Sequence, residues 1–203
     1  MKERAESDPA VGFEYADETW FVVVPPEGIM NPQPGEGWAQ AAPRNKSTRK
    51  KGQETFTAYL SLDVKEDRVS RYYADHTNQT ETLAFVKERI AAHEKQGHSV
   101  LVMAWDDASW HKAKTLMQAI REHNREVCRT GRGTRFAPVR LPVHAFWLNP
   151  VEAIIKHTKQ RALPCRQFEG PVDQKRTLDR HWLHRNLRQA STSKPEDLLS
   201  FLH

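Results

Sequence analysis

Cysteine is scarce in this sequence of 203 residues, which contains only Cys128 and Cys165. Neither belongs to a Cys-x-x-Cys pair, and two thiols cannot build a cysteine-rich zinc site. Free thiols are the expected state of cysteines in a reducing cytosol. We therefore interpret both residues as unpaired thiols.

Long apolar runs are also missing. No stretch approaches the roughly 20 apolar residues that a membrane-spanning helix needs, and the first ten residues, MKERAESDPA, lack the apolar segment of a secretory signal. Hydrophobic residues nevertheless make up 38% of the chain and charged residues 28%. This balance predicts a soluble, cytoplasmic protein with one core domain and no membrane partner.

Two familiar hydrolytic sites are absent as well. The histidines of HWLH, at residues 181–184, do not match the HExxH arrangement of zinc proteases. Ser109 lacks a nucleophile elbow and a nearby base pattern. The sequence therefore favours neither a zinc protease nor serine catalysis.

Positive charge is in excess, with a net charge of +5. Residues 44–51, RNKSTRKK, form a basic run, and residues 152–190 contain nine Lys and Arg against four Asp and Glu. A solvated basic face would explain either zone alone. Because the two zones flank the acidic positions described below, we favour a surface that binds phosphate groups, with nucleic acid as the partner.

Hydrophobic periodicity and turn residues divide the chain into alternating elements. Strands are expected at residues 13–24, 54–64, 68–76, 99–105 and 135–142, the last at a sheet edge because it contains proline. Helices are expected at residues 77–97, 111–124 and 149–163, with loops at 25–38 and 44–53. The last forty residues indicate helix with interruptions.

Three consecutive strands followed by alternating helices and strands predict an α/β fold with a mixed sheet covered on both faces. This is the element order of the ribonuclease H-like fold, here with five strands. We expect residues 1–12 to be disordered or a residual linker. Residues 13–165 would form the ribonuclease H-like domain, and residues 166–203 a helical C-terminal extension.

Three carboxylates stand in or at the ends of these elements. Asp17 follows FEYA in the first strand, Asp106 ends the central strand, and Glu152 lies in the first turn of a helix. Oxygen ligands of this kind suit magnesium, and two ions held together can promote cleavage or transfer of a phosphodiester. Singly, Asp17 could instead be a turn residue, and Glu152 could simply favour the helix dipole.

The residues around these acids carry a resemblance. YADETWF, WDDASWHKA and LNPVEAIIKHTKQ resemble the three signature blocks of the DDE transposases of the mariner-type superfamily, in its bacterial insertion-sequence branch. The resemblance extends over about residues 13–162. It implies a ribonuclease H-like core and DNA strand transfer dependent on Mg²⁺ or Mn²⁺. It places two ions on Asp17, Asp106 and Glu152, which would be both the metal ligands and the catalytic residues.

The sequence departs from the family pattern at several positions. Asp107 stands where the family has Asn, and strand parity leaves open whether Asp106 or Asp107 binds metal. Glu18 is a similar alternative to Asp17 on the opposite strand face. The separation of Asp106 from Glu152 is long, and we assign the excess to CRTGRGTRF at residues 128–136.

The family normally carries helix-turn-helix segments before its catalytic domain, whereas about a dozen residues precede the first strand here. We therefore expect a catalytic part without that DNA-binding part. Its partners would be double-stranded DNA, at element ends and target, and a second copy of the chain or a separate DNA-binding half. The DNA partner implies an association with the nucleoid.

Other residues near the blocks have two interpretations each. His111 could contact a DNA phosphate or orient a carboxylate, or be a solvent-facing residue at a helix start. Lys156 and Lys159 lie one and two turns after Glu152, where they could hold the DNA backbone or pair with Glu152. We favour DNA for both lysines, and we assign His111 to DNA binding with them. We interpret five tryptophans as core or loop anchors rather than stacking platforms. They are Trp20, Trp38, Trp105, Trp110 and Trp147.

Our hypothesis is a catalytic domain that nicks insertion-sequence ends with water and then joins the freed 3′ hydroxyl to target DNA. One alternative is another ribonuclease H-like metal nuclease, such as a junction resolvase or ribonuclease H, against which the LNPVE block argues. A second alternative is an inactive truncated remnant or a DNA-binding partner protein. The presence of all three acids argues against complete decay.

Overall fold

The computed structural model describes residues 8–23, 54–106, 108, 111, 113–142, 148–164, 166 and 168–192. The elements within these ranges are β1 (Val11–Val22), β2 (Thr55–Asp63), β3 (Arg68–Ala74), α1 (Gln79–Lys95), β4 (Val100–Trp105), α2 (Lys114–Thr130), β5 (Arg135–Arg140), α3 (Pro150–Arg161) and α4 (Pro171–Thr192). The loops predicted at residues 25–38 and 44–53 lie outside the described residues. So do Asp107, Ser109 and Cys165.

The strands form one sheet in the order β3-β2-β1-β4-β5. The first three strands pair antiparallel, whereas β1, β4 and β5 run parallel. The predicted mixed five-stranded sheet is therefore confirmed, and so is the edge position of β5. Pro138 is tolerated in β5 because an edge strand has hydrogen-bonding groups that need no partner strand.

Helices cover both faces of the sheet. On the α1/α2 face, the helices pack on buried side chains that include Ala16, Tyr59 and Met103. On the α3/α4 face, the helices pack on buried side chains that include Phe21 and Leu60. No helix of the described residues combines the length and apolarity that crossing a bilayer requires.

The region predicted as a helical extension, residues 166–203, contains α4, which is continuous from Pro171 to Thr192, and residues 193–203 lie outside the described residues. Gln174, Leu178 and Trp182 are buried at intervals of four residues, which places them on one helix face. The indole Nε1–H of Trp182 donates to Thr158 Oγ1 of α3 at 3.0 Å. The helix therefore packs into the core of the α3/α4 face.

The helix α2 also differs from its prediction, which covered residues 111–124. It begins at Lys114 and continues to Thr130, where Gly131 adopts a left-handed conformation with φ of 67° and ends it. A non-glycine residue rarely adopts this conformation, so Gly131 is a physical stop signal. Asn149 caps α3 as predicted, because its side chain accepts the backbone N–H of Val151.

A buried charged network joins α1 to β1. The Arg89 guanidinium donates to both carboxylate oxygens of Glu14, with Nη2 at 2.5 Å and Nε at 3.1 Å. The Nε2 of His93 lies 2.9 Å from the same carboxylate. Burial opposes the charged form of Glu14, but the hydrogen bonds from His93 and the charge of Arg89 outweigh it and lower the pKa of Glu14.

Candidate active site

The pairing of β1 with β4 brings two of the predicted acids together. The parallel register runs from Val11 opposite Val100 to Tyr15 opposite Ala104, a constant offset of 100 − 11 = 89 positions. Asp17 and Asp106 are separated by the same number, since 106 − 17 = 89. The observed pairs end at Tyr15 and Ala104, and the same offset continued by two residues matches Asp17 to Asp106, which directly follows the end of β4 at Trp105.

The pleat of β1 directs Asp17 and Glu18 to opposite sides of the sheet. Asp17 pairs with Leu60, which belongs to the core of the α3/α4 face. Glu18 pairs with Tyr59, which belongs to the core of the α1/α2 face. Because paired residues of neighbouring strands share a face, Asp17 points towards α3 and Glu18 points away from it.

Asn149 sets the position of α3 relative to Asp17. Its side chain is 4% exposed, and its Nδ2–H donates to the backbone carbonyl of Ala16 at 3.1 Å. Its Oδ1 accepts the N–H of Val151 at 3.2 Å. One side chain therefore both caps α3 and fastens that cap to β1, one residue before Asp17. Glu152, in the first turn of α3, is consequently brought to the same end of the sheet.

The charges of the three acids influence one another. Burial, together with the negative charges of Glu18, Asp106 and Glu152, raises the pKa of Asp17 to about 7. Burial and the charge of Asp106 raise the pKa of Glu152. Like charges gathered in this way repel one another, so the arrangement is unfavourable unless a cation or a proton relieves it.

His111 reaches the site from the other face of the sheet. Its Nε2 lies 2.6 Å from Glu18 Oε1, and its Nδ1 lies 2.9 Å from Asp106 Oδ1. The ring stacks on Trp105 with centroids 4.5 Å apart and planes 5° from parallel. Burial works against the charged ring, but the hydrogen bonds to Asp106 and Glu18 prevail and raise the pKa of His111 to about 9. These contacts favour the charged form of the ring, with Nε2 beside Glu18 and Nδ1 beside Asp106.

This geometry separates the interpretations of His111. The residue is only 2% exposed, so the solvent-facing interpretation is wrong. The assignment of His111 to DNA binding stays a prediction, and its contacts with Glu18 and Asp106 are also compatible with a residue that orients a carboxylate. The contact with Glu18 could not be identified from the sequence, because the two residues are 93 positions apart. The stacking on Trp105 depends on how the chain folds back after β4, which the sequence does not show.

A cleft of about 410 Å³ opens beside the acids. Asp17, Glu152, Lys156 and Lys159 are among its lining residues, so both predicted lysines lie beside two of the predicted acids. Partial burial lowers the pKa of Lys159, against the opposing influence of Asp17. A cleft lined by acids and flanked by amines can hold a metal ion and a phosphate side by side.

Trp20 lies at the same end of β1 and is 43% exposed. The Lys159 Nζ is 6.0 Å from the centroid of its ring. The prediction that Trp20 anchors the core is therefore wrong, whereas Trp105 is 1% exposed, as expected of a core residue. The positions of Trp38, Trp110 and Trp147 lie outside the described residues.

Two groups of ligand-type side chains have donor atoms within 4.8 Å of one another in the described residues. Glu14, Asp63 and His93 form the first, where the guanidinium of Arg89 already supplies the positive charge. Glu18, Asp106 and His111 form the second, where the His111 ring joins the two carboxylates. Asp17, Asp106 and Glu152 are not such a group, so the structure does not bring all three carboxylates within that distance, although they are an all-oxygen set of the kind that magnesium prefers.

A family model, described as DDE superfamily endonuclease, matches residues 16–172. The chain belongs to this family. The match includes Asp17, Asp106 and Glu152 and extends through the whole of α3. No curated protein sequence matches the chain.

Solved structures of the Mos1 transposase share the fold. The Mos1 paired-end complex with the left transposon end aligns with a TM-score of 0.57 at 13% identity, covering 88% of this chain and 52% of that one. The Mos1 mariner paired-end complex with Mn aligns with a TM-score of 0.58 at 14% identity, covering 88% of this chain and 52% of that one. The Mos1 strand transfer complex aligns with a TM-score of 0.57 at 12% identity, covering 98% of this chain and 56% of that one. The ribonuclease H-like fold is thereby confirmed, and the chain spans about half the length of these transposase chains.

Proposed function

We propose that the chain is a transposase catalytic domain that cleaves DNA strands at insertion-sequence ends and transfers them to target DNA. The observation that carries the proposal is the convergence of Asp17, Asp106 and Glu152 at one end of the sheet. Burial and the negative charges of Glu18, Asp106 and Glu152 raise the pKa of Asp17 to about 7, which is a feature of a site that awaits positive charge. We assign the element to the bacterial branch of the mariner-type superfamily, on the three signature blocks.

The donor set fits a divalent metal. All three side chains offer carboxylate oxygens, and Glu152 and Asp106 are exposed enough to accept a ligand from solvent. We propose that these residues hold Mg²⁺ or Mn²⁺, as two ions. Bound there, the metal would supply activation of the attacking oxygen and stabilisation of the leaving oxygen.

We assign His111 and Glu18 the role of holding Asp106 in place. Asp106 is 56% exposed at its side chain, and an exposed carboxylate at a strand end would otherwise sample several rotamers. The hydrogen bond from His111 Nδ1 restricts it, while Glu18 and the Trp105 ring fix the imidazole. Supporting residues of this type orient metal ligands and keep the site in its reactive geometry.

Lys156 and Lys159 are proposed to bind the phosphodiester backbone of the DNA in the cleft. Their ammonium groups lie on the side of α3 that carries Glu152, so a strand held by them would pass the carboxylates. Double-stranded DNA is the partner that this arrangement fits. The resemblance of the fold to that of Mos1, solved with a transposon end and with Mn, supports the same substrate and a divalent cofactor. We place the protein at the nucleoid, where this substrate lies, and we propose a second copy of the chain or a separate DNA-binding half as its protein partner.

The proposal is tested by plasmid nicking and strand transfer with Mg²⁺, with Mn²⁺ and with EDTA. Asp106→Asn keeps the shape of the side chain and removes its charge, and we expect it to lower the cleavage rate on the order of 10²-fold or more. Glu88→Gln removes an exposed carboxylate of α1 and is the matched control, expected to retain activity.

Each outcome separates the candidate functions. Metal-dependent nicking followed by joining, lost in Asp106→Asn, supports a transposase. Nicking without joining, on a panel that includes branched DNA and RNA–DNA hybrids, would instead indicate another metal nuclease. Equal activity in wild type and Asp106→Asn would contradict the assigned site. A folded wild type with no activity under any condition would point to an inactive remnant.

A further inference from the structure

A second concave surface lies on the other side of α3 from the cleft. This groove, between α3 and α4, has a volume of about 240 Å³. Its lining residues are Ala153, Ile154, His157, His181, Arg185 and Arg188. Every ionisable side chain among them is basic, whereas the cleft contains three carboxylates. The groove is therefore a distinct surface with the opposite electrostatic character.

The basic side chains of the groove are brought together by tertiary packing. The rings of His157 and His181 stack with centroids 5.8 Å apart and planes 29° from parallel. Burial and the neighbouring positive charges of His157 and Arg188 lower the pKa of His181. The groove thus gathers basic side chains from two helices, and a surface of this kind attracts an anionic ligand.

The side chain of Arg185 is held in place by hydrogen bonds to Asp67. Its guanidinium donates to the backbone carbonyl and to Oδ1 of Asp67, both at 2.6 Å. These two bonds fix the side chain against the turn between β2 and β3. The other basic groups project from α3 and α4 around an apolar floor of Ala153 and Ile154. An apolar floor with a basic rim contacts a phosphate backbone without reading base edges.

The groove and the cleft share one helix. Glu152, Lys156 and Lys159 line the cleft, and Ala153, Ile154 and His157 line the groove. A helix with its side chains is about 10–12 Å across, so the two surfaces are separated by about that distance. Double-stranded DNA carries one phosphate charge per about 1.7 Å of its axis. A duplex with one strand in the cleft can therefore present further phosphates to the groove.

We propose that the α3/α4 groove binds the phosphodiester backbone of duplex DNA outside the catalytic cleft, with His157, His181 and Arg188 as its contacts. The proposal rests on the proposed function, because it adds a second DNA contact to a domain that acts on DNA. Contacts of this kind position a duplex and carry no sequence information. The groove would thus set the path of the DNA as it leaves the metal site.

The test is equilibrium binding of a fluorescent 40-bp duplex of arbitrary sequence in EDTA, from 50 to 200 mM salt. EDTA prevents cleavage, so binding is measured separately from chemistry. Arg188→Ala should weaken binding by up to about fivefold. It should also lower the slope of log K against log salt by about 0.9, the value for one phosphate contact. The triple variant with His157→Ala and His181→Ala should lose more.

Arg176→Ala is the matched control for Arg188→Ala. Arg176 is an exposed arginine of the same helix that does not line the groove. The two positions are 188 − 176 = 12 residues apart, which at about 100° per residue places them about 120° apart around α4. The control removes the same charge, so a smaller loss of affinity is expected. Equal losses in both variants would overturn the proposal, because net charge alone would then explain them.

A parallel cleavage assay separates this inference from the proposed function. If the groove variants lose binding while wild type cleaves nothing with Mg²⁺ or Mn²⁺, the groove is supported and the transposase function is not. If wild type cleaves in a metal-dependent way and the triple variant binds the duplex as tightly as Arg176→Ala, the function stands and the groove proposal fails.

Discussion

Replacing Asp17 with asparagine should make the metal-free protein more stable. Asp17 Oδ1 accepts the backbone N–H of Glu18 at 2.9 Å, and an asparagine Oδ1 can accept the same bond. The substitution therefore keeps the shape and the hydrogen bond while removing one of the clustered negative charges. The stability gained reports on the burial and the neighbouring negative charges that disfavour the charged form of Asp17.

The size of the effect follows from the pKa of Asp17, which rises from 3.8 to about 7 in the folded protein. A shift of about 3 units corresponds to about 4 kcal/mol, at 1.36 kcal/mol per unit. Partial access to solvent reduces this figure, so we expect about 2–4 kcal/mol. For a chain of this size, the melting temperature of Asp17→Asn should rise on the order of 5–10 °C.

The sign of the pH dependence is fixed by the direction of the shift. The folded state holds the Asp17 proton to a higher pH than the unfolded state does, so it binds more protons between about pH 4 and pH 7. The contribution of Asp17 to stability is therefore lost as pH rises through this window. Wild type and Asp17→Asn should differ little near pH 4 and most at pH 8.

Urea unfolding in EDTA at several pH values measures this difference, with Asp75→Asn as the control at an exposed aspartate after β3. Addition of Mg²⁺ or Mn²⁺ should then stabilise wild type at pH 8 and stabilise Asp17→Asn less, because binding to the folded state alone raises stability. An Asp17→Asn variant no more stable than wild type at pH 8 would refute the reasoning. So would a difference that does not change with pH.

Three further predictions concern the supporting residues. His111→Phe keeps a flat ring in place but removes both hydrogen bonds, and steady-state cleavage assays should show a loss of about 10–100-fold, with a higher metal requirement, as expected for an outer support of a metal ligand. Arg89→Met leaves the carboxylate of Glu14 buried without its main counter-ion, so the free energy of unfolding measured in urea should fall by about 3–5 kcal/mol. In wild type, the stability that this network contributes should be lost as pH falls through the lowered pKa of Glu14. Gly12→Ala should lower the melting temperature, because its Cβ would clash with Nδ1 of the buried His93 ring. Wild-type stability of Arg89→Met or Gly12→Ala would contradict the packing argument, and wild-type cleavage by His111→Phe would contradict its supporting role.

Local patterns in the sequence were sufficient for the sheet and for most helices. Alternation and apolar runs located the five strands, and Asn149 with Pro150 marked the start of α3. The pattern predicted helix in the C-terminal region but not the bounds of α4, because Gln174 is buried there and a polar residue at a core position hides the helical period. It also ended α2 too early, since a charged surface helix carries little apolar signal in its last turns.

Some features of the candidate site could be predicted from the sequence, and others could be seen only in the structure. The types and order of the acids were readable in the sequence, and the separation of 89 residues between Asp17 and Asp106 equals the β1–β4 register. The pairing of β1 with β4, which matches this separation, is visible only in the folded sheet. The choice between Asp106 and Asp107 stays a prediction, because Asp107 lies outside the described residues.

By itself, the sequence determined the carboxylates, the signature blocks, the element order and hence the ribonuclease H-like fold, because these depend on residue types and on periods shorter than one element. Only the tertiary structure decided that His111 is buried on Trp105 between Glu18 and Asp106, that Asn149 fastens α3 to Ala16, and that two faces of α3 carry opposite electrostatic character. Each of these contacts joins residues from different elements. Which side chains meet across elements depends on strand register and helix packing, and those quantities are set by the burial of the whole core rather than by any local run of residues.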